Sequence, residues 1–216
     1  MIHPTRVVAG IDEAGLGPLL GPMTLGWSAF RVPRGKRNLW HELSEVVTDS
    51  PRKDRRHLVV ADSKRVFTRN PRGTRRLELT VLAFLDQRSA SGCGPRTPGE
   101  LLRLPPPALR LSADALARHP WYRELPETLP HTVDEGVLSI RSARLAREMK
   151  RRKIKFVDGG YCMLPAGELN ESWQVTGNKS LSQWRVSGRL LEHLWEAFGQ
   201  DSLSVFVDRM GGRSHY

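Results

Sequence analysis

Two adjacent carboxylates, Asp12 and Glu13, follow the β-branched run VVAGI at 7–11 and precede a stretch bearing Gly15, Gly17, Pro18, Gly21 and Pro22. Acidic groups at the end of an apolar strand are costly to bury unless a cation neutralises them. Hard oxygen donors suit Mg²⁺ or Mn²⁺, ions that serve phosphoryl chemistry. Successive strand side chains leave opposite faces, so both carboxylates reach one site only if the strand end twists or bulges. The glycines behind them let backbone amides approach a phosphate or sugar closely. Taken alone, the pair also reads as an ordinary solvated turn. Three further segments carry candidate groups: Asp62-Ser63-Lys64 after an apolar run at 58–60, the strand-like SLSVFV at 202–207 ending on Asp208, and IKFVDG at 154–159 containing Asp158.

Positioning these groups requires strands and at least one long helix. Residues 7–11 and 23–32 read as a hairpin, because no helix runs through the Gly/Pro stretch between them. Residues 39–47 show helical spacing, and 75–87 form a helix with Leu77, Val81, Phe84 and Leu85 on one face. Between 89 and 131, glycines and prolines break the regularity and leave room for a short helix near 112–118, so this reads as a surface insertion. Residues 139–152 are a basic helix and 154–164 a strand or hairpin arm, with Asp158-Gly159-Gly160 as a turn. From 179 to 198, Leu181, Trp184, Gly188, Leu191, Trp195 and Phe198 recur at intervals of three and four. That stripe makes Trp184 and Trp195 core anchors. Residues 202–207 follow as a buried strand. Hairpin strands first, then helix and strand, predict an α/β fold with a mixed sheet and flanking helices.

The chain has 216 residues, 34 Lys+Arg and 23 Asp+Glu, for a formal net charge of +11. That length suits a single domain, 1–216, carrying the insertion. At 39% hydrophobic residues it is no disordered chain. No run approaches the roughly 20 apolar residues of a membrane helix, and the first residues have no apolar signal core. Cys93 and Cys162 make neither a disulfide framework nor a zinc cluster, which fits a reducing, cytoplasmic setting. The arginine excess suits a polyanion such as nucleic acid; codon bias toward arginine explains it equally well. His193 on the long helix and His119 before a proline lack a second ligand at metal spacing and read as structural.

The string Gly10 to Pro22 resembles the first motif of the type 2 ribonuclease H family (ribonuclease HII and its relatives), in which strand one ends Asp-Glu-Ala-Gly-Arg-Gly-Pro and continues to Gly-Pro. The departure is Leu16, where the family has arginine. Asp62-Ser63-Lys64 matches the family's Asp-Ser-Lys segment. The long helix followed by Val205-Phe206-Val207-Asp208 is similar to the family's helix and strand leading to its third catalytic aspartate. The resemblance implies a ribonuclease H-like sheet. It also implies divalent-metal-dependent endonucleolytic cleavage of RNA in RNA–DNA hybrids or at ribonucleotides embedded in DNA, by a monomer. Asp12, Glu13 and Asp208 would be three of four carboxylates holding two Mg²⁺ or Mn²⁺ ions. Gly15, Leu16 and Gly17 would meet the backbone and 2′-hydroxyl of the ribonucleotide, the group that tells RNA from DNA. Ser63 and Lys64 would bind phosphate.

Asp158 competes with Asp208 as third carboxylate through its Val-Asp-Gly string. Helix order favours Asp208, because the long helix precedes it. The family's last strand and fourth aspartate would come beyond Tyr216, so the chain reads as incomplete at its C-terminus. Two other readings stay open: a non-catalytic nucleic-acid-binding relative, and an inert fragment whose charge reflects codon usage.

Overall fold

The computed structural model of the chain describes residues 5–14, 21–36, 38–89, 91–122 and 124–208. In chain order the elements are β1 (Thr5–Ala14), β2 (Met23–Pro33), α1 (Leu39–Glu42), β3 (Val47–Thr48), β4 (Leu58–Val59), α2 (Ser63–Val66) and α3 (Pro71–Asp86). They continue with α4 (Pro98–Leu102), α5 (Ala113–Ala117), α6 (Glu135–Arg152), β5 (Lys155–Leu164), α7 (Ala166–Thr176), α8 (Lys179–Phe198) and β6 (Leu203–Val207). Two compact units result: Met1–Ala29 with Leu102–Leu125 and Asp158–Tyr216, and Phe30–Leu101 with Pro126–Val157. The Pro/Gly-rich stretch 89–131 is divided between them. No helix among the described residues is long and apolar enough to cross a membrane.

The first unit is built on a four-stranded sheet in the order β5-β2-β1-β6. Val7, Ala9 and Ile11 alternate inward along β1, and Met23, Leu25, Trp27 and Ala29 do the same along β2, so period-two patterning fixes which face is core. The connection between β1 and β2, residues 15–22, is shorter than the dozen or so residues a parallel crossover needs, so β2 returns antiparallel. β6, by contrast, pairs with β1 in parallel, from Val7↔Leu203 to Ile11↔Val207. The sheet is therefore mixed, and the α/β class is as the sequence predicts. As an edge strand β6 keeps Phe206 and Val207 exposed, where the sequence predicted burial.

α8, started by the Asn178 side chain accepting from the Ser180 amide, packs on β1 and β6. Its buried stripe is Gln183, Ser187, Leu190 and Leu194, each fully enclosed. Trp184 and Trp195, predicted as anchors, lie one residue further round and are 42% and 66% exposed. One residue is about 100° of helix rotation, enough to carry a side chain out of the core.

In the second unit α3 packs against α6, each started by a side-chain cap, Asn70 and Asp134. The residues that α3 buries include Leu79, Leu82, Ala83 and Leu85, while Val81, predicted on the apolar face, is exposed. Phe30, Phe84 and Phe156 form an aromatic cluster with centroids 5.1–5.9 Å apart. The helix predicted at 39–47 is only one turn, because the chain enters β3 at Val47, and β3 pairs in parallel with β4.

Candidate functional site

The parallel register of β1 and β6 has a direct chemical result. Ile11 pairs with Val207, and the Asp208 amide donates to the Ile11 carbonyl at 3.4 Å. One step further, Asp12 and Asp208 stand side by side at the carboxyl ends of two parallel strands, where α/β sheets commonly place their sites. Glu13, next along β1, would point away on an ideal strand. Its carboxylate nevertheless converges: Asp12, Glu13 and Asp208 each bring an oxygen within 4.8 Å of the others. The Glu13 amide donates to Asp12 Oδ1 at 2.8 Å, which fixes that carboxylate against the strand end.

Asp12 and Asp208 are exposed and Glu13 is half-buried. At this spacing in water each pair of like charges repels by about 1 kcal/mol, so the three coexist without an ion. Among the described residues, neither Asp12 nor Glu13 is in an ion pair. The donor set is all carboxylate oxygen, with neither imidazole nor thiolate, and it fits Mg²⁺ or Mn²⁺ rather than zinc.

Asp158 stands elsewhere. It is not in a turn: β5 continues through Asp158-Gly159-Gly160, and β2 separates β5 from β1. The residue is 5% exposed. Its Oδ2 accepts from Trp27 Nε1 at 3.2 Å and lies 2.7 Å from His193 Nε2, and its Oδ1 accepts from the Gly159 amide at 2.9 Å. A buried carboxylate needs such partners. His193, which the sequence left as a plain structural residue, joins this network through its Nε2. The signal was present in strand period: Phe156, Asp158 and Cys162 share the buried face of β5.

Gly160, on that same face, makes the arrangement possible. A Cβ there would lie 2.7 Å from Trp27 Cη2, so only glycine lets the indole pass beneath β5 and reach Asp158.

Asp62, Ser63 and Lys64 belong to the second unit. The Asp62 carboxylate accepts from the Lys64 amide at 2.8 Å and caps α2, leaving Ser63 and Lys64 exposed. Gly15, Leu16 and Gly17 lie outside the described residues. The three carboxylates, by contrast, come together from opposite ends of the chain. No protein-family model, curated protein or solved structure matches the chain.

Proposed function

We propose that the chain is a divalent-metal-dependent endonuclease resembling type 2 ribonuclease H, acting as a cytoplasmic monomer on RNA in RNA–DNA hybrids or on ribonucleotides embedded in DNA. The observation that carries this reading is the convergence of Asp12, Glu13 and Asp208 at the ends of β1 and β6. The long α8 leading into β6 and Asp208 is the arrangement the resemblance implies, and it supports a ribonuclease H-like sheet.

Bound Mg²⁺ or Mn²⁺ would supply a Lewis acid for the phosphodiester and a more acidic water. The chain's own part is to fix three anionic oxygens at one strand edge. Without a cation those carboxylates repel a phosphate backbone, so substrate binding and cleavage draw on different groups. Ser63 and Lys64 are proposed to hold a phosphate, and residues 15–17 to meet the 2′-hydroxyl.

The test is cleavage of a duplex carrying one ribonucleotide, with Mg²⁺ or Mn²⁺ added. Asp12→Asn should abolish the cut while salt-sensitive binding persists. Undiminished cleavage by that variant overturns the site. Binding without cleavage by the unaltered chain would make it a non-catalytic relative.

A further inference from the structure

The second unit contains a cavity of about 730 Å³ between α3, α6 and the turn before β4. That volume is within the usual range for small-molecule sites, roughly 300–1,000 Å³. Its charge is one-sided: five arginines and a single carboxylate, Asp54, line it.

Asp54 is already committed. Arg72 grips it with two bonds, 2.8 and 2.7 Å, and Arg76 adds contacts of 3.2 and 3.1 Å. The hydrogen bond from Arg72 and that from Arg76 hold its carboxyl down at about 2. Arg76 also donates to the Val66 carbonyl.

Three arginines of the lining, Arg55, Arg75 and Arg141, make no ion pair among the described residues. Arg141 donates to the Arg55 carbonyl and feels the Asp54 carboxylate across the cavity without a hydrogen bond to it among the described residues. Burial and the neighbouring Arg144 push the Arg141 guanidinium down from its ordinary value, as expected of a cation held among cations. His57 also lines the cavity, with its Nδ1 enclosed behind the wall. Leu79 and Val137 give the cavity an apolar side.

Guanidinium forks match phosphate oxygens in geometry and charge, and the apolar wall suits the body to which a phosphate is attached. We propose that this cavity binds a nucleotide phosphate, held by Arg55, Arg75 and Arg141. The phosphate belongs either to a free nucleotide or to a nucleic-acid strand. The proposal uses none of the three carboxylates and stands whether or not they cleave anything.

Titration calorimetry on the full chain in EDTA tests it with three probes: ADP, a ten-nucleotide oligothymidylate, and adenosine. EDTA silences any metal at the carboxylates. Binding of ADP, or of the oligonucleotide alone, supports the site and names the source. Arg75→Ala should weaken that binding about tenfold, the loss of one charge-assisted contact. Arg75 is exposed on α3, so this variant keeps its fold, and Arg141→Ala should act in the same direction. Binding of neither phosphate probe, adenosine binding as tightly as ADP, or full affinity in Arg75→Ala and Arg141→Ala overturns the proposal.

Discussion

His193 Nε2 lies 2.7 Å from Asp158 Oδ2, which ties the second half of α8 to a buried carboxylate on β5. Removing the imidazole takes a 2.7 Å contact from a carboxylate that also meets the Trp27 indole and the Gly159 amide. His193→Ala should therefore cost about 2 kcal/mol in urea unfolding, the usual size for a hydrogen bond to a charged group. A double-mutant cycle with Asp158→Asn should return a coupling of about 1 kcal/mol or more. Additive losses would show that the two residues do not act together.

Gly160→Ala asks whether the indole needs the space the structure assigns to it. The new methyl meets the outer edge of the rigid Trp27 indole, which its hydrogen bond to Asp158 holds in place. Stability should fall by about 1–3 kcal/mol, the range for overpacking, and Trp27 fluorescence should shift as the ring is displaced. An unchanged unfolding midpoint would refute the close approach.

The face of α8 is settled by comparing two truncations. Leu194→Ala should cost about 2–5 kcal/mol. Trp195→Ala should cost much less, since two-thirds of that residue is already in water. The reverse order would restore the tryptophan stripe as the core.

How far the sequence foretold the molecule depends on the kind of signal. β1 and β2 were legible as a β-branched run and a proline-bounded strand either side of a Gly/Pro stretch, and α3 and α8 because their apolar residues recur at helical spacing. The orientation of α8 was not, since its buried stripe includes polar Gln183 and Ser187 while its most apolar stripe faces outward. Asp158-Gly159-Gly160 carried turn chemistry, yet β5 runs through it because Gly160 makes room for Trp27. The three carboxylates were grouped by resemblance, and the nearness of Asp12 to Asp208 depends on a pairing between strands at opposite ends of the chain. The arginines of the cavity were visible only as scattered cations. Arg55, Arg75 and Arg141 meet through tertiary packing that no local spacing encodes.

Gln183 offers a test of that polar stripe. Both ends of its buried amide are without hydrogen-bond partners, as is the Ser187 hydroxyl. An unpaired buried polar group costs about 1–3 kcal/mol, so Gln183→Met, similar in volume and apolar, should raise the unfolding midpoint. A fall would show that the amide has a partner in solution.

Acid should release Asp54. Its carboxyl sits near 2, against 3.8 ordinarily, chiefly through the hydrogen bond from Arg72. A lowered folded value means the stabilisation is complete above about pH 4 and is lost as pH falls through 2. Because Arg72 is largely exposed, screening reduces the contribution to about 1 kcal/mol. Asp54→Asn should flatten the dependence of stability on pH between 4 and 2, and an identical slope in both proteins would contradict the pairing.

β1 is the first described strand to leave the ribosome and β6 the last, yet they are partners in the sheet. Contacts of such long sequence separation close late, after the intervening chain has been made. A nascent chain short of β6 therefore displays Asp12 and Glu13 with no Asp208 beside them. Synthesis itself times the assembly of the acidic site, and any divalent cation would meet the oxygens of Asp12, Glu13 and Asp208 together only once β6 has been made.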